Sequence, residues 1–236
     1  MQYVYILGGR NMKERMEDYY SMPKKKNIEW KKIAKELLEW ILCFIIAYVI
    51  YLFINYFIGT ISGVKQVSMF PTARENERLL IQRPTIFERK IERGDIITFE
   101  APKDIGYYEE IDATDVVAEY EELNFVESFF YDFIGIGKMS YIKRVIGVAG
   151  DHVVITEQGE VFVNDEKINE PYLHEQFTPI TGEYTDVVVP VGCVYVMGDN
   201  RKESKDSRFF GCVPVSHVDG YVVARIWPLN KLGKLQ

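Results

Sequence analysis

The hydropathy pattern divides the chain at about residue 60. From Trp40 to Ile58 every residue is apolar or aromatic except Asn55. As a helix these nineteen residues span roughly 28 Å, enough to cross a bilayer. A run that is apolar on every face differs from a globular surface helix, which keeps one face polar. It is also longer than the apolar centre of a cleaved secretory signal, and no small-x-small cleavage pattern follows before Ile61-Ser62-Gly63. A transmembrane helix is therefore predicted over residues 37–59. Lys24, Lys25, Lys26, Lys31, Lys32 and Lys35 crowd its N-terminal side, and only Lys65 lies close on the other. That asymmetry keeps the N-terminus in the cytoplasm and places residues 60–236 outside. Residues 1–36, polar and Lys-rich without a packing period, are read as a cytoplasmic segment, disordered or a surface helix.

Beyond residue 60 the pattern becomes short runs of Val, Ile, Tyr and Phe separated by Gly-Asp pairs and Pro, the mark of strands and turns. Strands are predicted at 79–81, 96–99, 141–148, 152–155, 161–163, 187–189, 194–197 and 221–226, with a tight hairpin turn at Glu157-Gln158-Gly159-Glu160. The domain is expected to be mainly β. One stretch departs from this: Val116, Tyr120, Leu123, Glu127, Phe130 and Ile134 recur at three- and four-residue steps after Asp112 and Thr114. They predict an acidic amphipathic helix.

The chain has 236 residues and a net charge of -7. It has room for one sizeable globular domain beyond the membrane segment, and its acidity argues against nucleic acid as a partner. Ten Asp or Glu fall between Lys103 and Lys138, so residues 103–138 form an acidic insertion in an otherwise nearly neutral molecule. Cys43, Cys193 and Cys212 have no Cys-x-x-Cys spacing and suggest no metal site. The sequence leaves open whether Cys193 and Cys212 pair.

Two segments carry candidate chemistry. Ser68 precedes Met69-Phe70-Pro71-Thr72, where Pro71 restricts its own φ and disfavours a helical Phe70, putting the serine at the edge of a rigid turn. In Tyr141-Ile142-Lys143-Arg144-Val145-Ile146, strand alternation puts Lys143 on one face with Tyr141 and Val145, and Arg144 on the other with Ile142 and Ile146. Both cations have apolar neighbours. Burial disfavours an ammonium, so a desolvated Lys143 becomes neutral near physiological pH and competent as a general base. Arg144 stays charged and needs a carboxylate if buried. Without a base, Ser68 is only a turn serine; without burial, the two cations only snorkel on an edge strand. A polar loop, Gly198 to Arg208, supplies hydroxyls, acids and arginines of the kind that hold a lysine base still. None of His152, His174 and His217 lies in a motif that suggests a Ser-His pair.

These blocks together, Ser68-Met69-Phe70-Pro71-Thr72, Arg93-Gly94-Asp95-Ile96-Ile97-Thr98-Phe99, Tyr141 to Gly147, and Gly198-Asp199-Asn200-Arg201 with Ser204, Asp206, Ser207, Arg208 and Gly211, resemble bacterial type I signal peptidases from the membrane helix to about Trp227. The resemblance implies a coiled β-sheet catalytic domain, shared with self-cleaving repressor proteases. It implies a membrane-bound serine endopeptidase that cuts signal peptides after small residues, with Ser68 as nucleophile and Lys143 as base. Ser204 would orient the lysine amine, and Asp206, Arg208 and Arg144 would support the site. No metal or organic cofactor is implied; the implied partners are preprotein signal peptides, the lipid bilayer and the secretion machinery. Gln66 stands where the family has Gly or Ser, so the expected oxyanion donors are the Ser68 backbone N–H and the Gln66 amide. The alternative is a membrane-tethered module that binds preproteins without cutting them. A self-cleaving regulator fits less well, because it would carry a basic DNA-binding module in place of the anchor.

Overall fold

The sheet that carries both candidate residues follows from the alternation of Tyr141 to Val148. In the computed structural model, which describes residues 29–57, 59–83, 89–103, 116–121, 124 and 139–235, these residues lie in the nine-residue strand β4. The strands in chain order are β1 Gly59–Gly63, β2 Arg78–Gln82, β3 Ile96–Glu100, β4 Ser140–Val148, β5 His152–Ile155, β6 Val161–Val163, β7 Glu166–Lys167, β8 Asp186–Val188, β9 Cys193–Met197, β10 Val213–Pro214 and β11 Val218–Trp227. Seven of them form one sheet in the order β1-β2-β11-β3-β4-β9-β10, and β7-β6-β5-β8 form a second. Every pairing between named strands is antiparallel, and register shifts in β11 and β4 bend the larger sheet. The mainly β, coiled architecture expected from the sequence is the one observed.

β4 is internal to the sheet, and both of its faces are covered. Ile146 packs with Val153, Val161, Val187 and Tyr195 in a core shared with the smaller sheet. Val145 packs with Ile97, Phe99, Val196 and Phe210 in a second core. Each such side chain contributes about 1.5–3 kcal/mol by leaving water. The cost of burying Lys143 and Arg144 in the same strand is carried by this apolar surround. The predicted turn joins β5 to β6, where Gly159 takes a φ of 73° and donates to the Thr156 carbonyl at 2.8 Å.

All eight predicted strands are present to within three residues at either end. β1, β7 and β10 were not anticipated, because Gly, Asp and Pro at their ends read as turns. Val116–Glu121 correct the helical expectation for the acidic insertion. They are not helical: Val117 makes a parallel bridge to Cys212, and Ala118 is buried beside Phe210. Their apolar residues meet a neighbouring strand, which overrides the local 3.6-residue period. The rest of that insertion's predicted helix lies outside the described residues, apart from Asn124. Cys193 and Cys212 are both buried thiols, with no disulfide between them.

The chain divides into two units, Met1–Tyr48 and Val49–Gln236. The division falls inside one helix, α1, Trp30–Phe57, which is long and apolar enough over Trp30–Asn55 to cross a membrane. It starts seven residues before the predicted boundary. Glu29 with Lys32 and Lys35 with Glu39 form ion pairs at helical spacing, and no Pro or Gly interrupts the polar turns.

Candidate active site

Ser68 lies in a turn held by backbone bonds from Phe70 N to Val67 O at 3.0 Å and from Ala73 N to Met69 O at 2.8 Å. Met69 and Ala73 bury the inner side of that turn against Leu79 and Ile96. Lys143, 1% exposed, approaches from β4, and its Nζ is 2.8 Å from Ser68 Oγ. The amine also meets the Ile142 carbonyl at 3.2 Å and stands 5.1 Å from the centre of the Tyr141 ring. Desolvation is the largest influence on it and lowers its pKa to about 8, against Asp206 and Asp199, whose charges pull it up; Arg208 lowers it further. When that amine is neutral, the serine hydroxyl can donate to it. Among the described residues, no histidine is hydrogen-bonded to Ser68: His152 pairs with Asp186 and His217 with Glu100, while His174 lies edge-on to Phe70.

The cation on the opposite face has the carboxylate it requires. Arg144 grips Asp199 with two bonds, Nε to Oδ1 at 2.9 Å and Nη2 to Oδ2 at 2.8 Å, and both side chains are at most 5% exposed. This fork geometry matches a guanidinium to a carboxylate. Asp199 also accepts from the Thr72 hydroxyl, four residues after Ser68. The same loop holds the main chain of Ser68, since Asn200 N donates to Ser68 O at 3.0 Å and Asn200 Nδ2 to Val67 O at 3.3 Å. Gly198 makes this approach possible: a Cβ there would stand 2.5 Å from Ser68 O and 2.3 Å from Ser204 Oγ. Gly198→Ala is expected to lower cleavage at least about tenfold if Ser68 and Lys143 act together, because a displacement of the serine by even about 1 Å would misalign them. Steady-state rates on a preprotein check this.

Asp206 caps the short helix α2, Ser207–Phe210. Its carboxylate accepts from Arg208 Nε at 2.8 Å, Arg208 Nη2 at 3.0 Å and Gly198 N at 3.0 Å. Burial pushes the Asp206 pKa up, but the Arg208 charge and these bonds outweigh it and hold the group below the usual carboxylate range. Ser204 is buried against Gly198 and beside Asp206, and among the described residues its hydroxyl makes no hydrogen bond of formed geometry. It is not bonded to Lys143, whose partners are Ser68 and the Ile142 carbonyl. Gln66 is exposed and lines the two clefts that meet at Ser68. No hydrogen bond among the described residues uses the Ser68 backbone N–H.

Sequence reasoning missed Glu170 and Tyr172, and it named Asp199, Thr72 and Arg201 only within motifs, without a role for each in this assembly. The need of Arg144 for an acid was a usable signal for Asp199. Its position 55 residues away is fixed only by the pairing of β4 with β9.

Signal peptidase IB of Staphylococcus aureus is 32% identical over 214 residues, which is 84% of this chain and 94% of that protein. Thylakoidal processing peptidase 1, chloroplastic, of Arabidopsis thaliana is 31% identical over 170 residues, 72% of this chain and 42% of that protein. The crystal structure of a signal peptidase I from Enterococcus faecalis, 26% identical, covers 57% of this chain and 98% of its own, with a TM-score of 0.38. The family described as signal peptidase, peptidase S26, matches residues 37–227, and with a match that runs from the apolar helix to the end of β11 the chain belongs to that family.

Proposed function

We propose that this chain is a membrane-anchored serine endopeptidase that cleaves N-terminal signal peptides from preproteins through a Ser68-Lys143 pair and an acyl-enzyme. The observation that carries the reading is the 2.8 Å separation of Lys143 Nζ and Ser68 Oγ where the amine is stripped of water. Neutral Lys143 takes the proton from Ser68 Oγ as that oxygen bonds to the carbonyl carbon before the cleavage site. The Ser68 N–H and the Gln66 amide donate to the resulting oxyanion. The carbon–nitrogen bond then breaks, and the proton on Lys143 passes to the leaving amine. A water, deprotonated by the same lysine, attacks the ester; the acid product departs and Ser68 Oγ regains its proton. Asp206, Arg208, Arg144 and Asp199 keep the pair in place, and Ser204, which is not bonded to the amine in the structure, would orient it in the substrate complex.

The helix α1 would anchor the chain, with its Lys-rich N-terminal side in the cytoplasm. The ten residues from Ile58 to Ser68 would keep the nucleophile near the outer membrane surface, where a signal peptide delivered by the secretion machinery ends. The test is incubation of the full chain in detergent with a preprotein, beside Ser68→Ala and Lys143→Ala. Cleavage lost in both variants fits the peptidase. No product from the unmodified chain fits the binding module instead. Gln66→Ala is expected to lower kcat about a hundredfold with KM little changed, the lower end of the range for one oxyanion donor. Undiminished turnover would leave the backbone N–H as the donor without Gln66.

A further inference from the structure

Residues 170–178 have no regular secondary structure, yet they touch the candidate site at several points. Glu170 and Thr178, both buried, accept from the buried Arg201 guanidinium, whose Nε donates to Gly198 O at 3.0 Å. His174 N donates to Asp199 O at 3.2 Å, and the His174 ring meets Phe70 edge-on with centroids 4.7 Å apart. Glu175 pairs with Lys202. Between these contacts lies Tyr172. Its hydroxyl donates to Glu170 Oε1 at 2.8 Å, and the Arg144 guanidinium lies 3.8 Å from the centre of its ring. The phenol is kept protonated: desolvation first, and then the Glu170 charge, raise its pKa well above the usual tyrosine value. It therefore remains a donor to Glu170.

We propose that Tyr172 is a positioning residue for the peptidase reaction: its ring, seated by the hydroxyl's bond to Glu170, restrains Arg144 in the buried Arg144–Asp199 pair and so fixes the loop that holds Ser68. The inference rests on the function proposed above. Arg144 follows Lys143 directly in β4, and Asp199 holds Thr72 of the nucleophile segment. A guanidinium lying on an aromatic face gains most where water is excluded, so the ring restricts Arg144 from a direction that Asp199 does not cover. Tyr172 touches neither Ser68 nor Lys143; its effect on the rate passes through Arg144 and Asp199.

This arrangement has a readout that simple loss of fold does not give. The Lys143 amine is surrounded by the charges of Asp206, Asp199 and Arg208, with the Ser68 hydroxyl, the Ile142 carbonyl and the Tyr141 ring also against it. If Arg144 loosens, the Asp199 charge acts on the amine less compensated, and the lysine holds its proton to higher pH.

The experiment compares the full chain in detergent with Tyr172→Leu, Tyr172→Phe and Ser68→Ala on one preprotein. Tyr172→Leu is expected to lower kcat at least about tenfold with KM within about twofold, and to move the pH-rate midpoint upward. Tyr172→Phe, which keeps the ring over Arg144, is expected to leave the midpoint in place and lose no more than about threefold in kcat. Tyr172→Met replaces the Leu variant if the latter does not fold, with the same expectations. A kcat within about twofold of the parent, an unmoved midpoint, or a Phe variant as impaired as the Leu variant overturns the inference. If cleavage survives Ser68→Ala, the proposed function itself is wrong. If Ser68→Ala is inactive and Tyr172→Leu is fully active, only the role of Tyr172 is lost.

Discussion

Lys143→Met is expected to abolish preprotein cleavage, at least about a thousandfold, while making the folded chain more stable at pH 7. The first effect follows because methionine fills the lysine's space without a basic nitrogen, leaving Ser68 at its unactivated pKa. The second follows from linkage. The folded amine titrates near 8 because burial disfavours its charged form, whereas in the unfolded chain it titrates near its usual value of about 10.4. Between those two values the unfolded chain holds a proton that the folded chain has released, so stability rises with pH across that window. Below pH 8 the full penalty is present, and at about 1.4 kcal/mol per tenfold in proton affinity it amounts to about 3 kcal/mol. Removing the amine relieves up to that amount at neutral pH. Denaturant unfolding of the two proteins at pH 7, with cleavage assays beside it, measures both effects. A variant that is inactive and less stable at pH 7 would show that the fold stabilises the lysine's charge, contrary to a pKa lowered by burial.

Breaking the pair on the other face of β4 acts in the opposite direction. Asp199→Ala leaves the Arg144 guanidinium buried without its carboxylate, and a cost of about 3–5 kcal/mol is expected. Thr72 loses its acceptor in the same step, so the turn that presents Ser68 loosens along with the loop. Denaturant unfolding measures the loss. The double variant Arg144→Met/Asp199→Leu removes both charges and is expected to recover most of that stability, because apolar residues of similar volume repay the burial without a charge to desolvate. It is not expected to recover cleavage, since Arg144 and Asp199 also locate the segment that carries Ser68. If Asp199→Ala proves neutral, the pair is solvated in solution and does not brace the site.

How far the sequence foretold this arrangement depended on whether the information was local. Period-two alternation in β4 assigned Lys143 and Arg144 to opposite faces and gave both apolar neighbours, and the structure shows both buried. The need of Arg144 for an acid could be stated, but not which acid, because β4 meets β9 only through long-range pairing. Glu170 and Tyr172 lie in an irregular segment whose residues gave no periodic signal. The extended course of Val116–Glu121 is likewise set by Cys212, a partner more than ninety residues away. At Ser204 the motif suggested a bond to the lysine, whereas the structure places the hydroxyl against Gly198.

The pH dependence of kcat/KM tests the lysine base most directly, because it reports the ionisation of the free enzyme's essential groups. The expected profile climbs on the acid side with a midpoint near 8, the value to which burial brings Lys143, and keeps that midpoint when His174 is replaced. A midpoint near 6.5 that vanishes with a histidine substitution would assign the proton transfer to another residue and contradict the proposed role of Lys143.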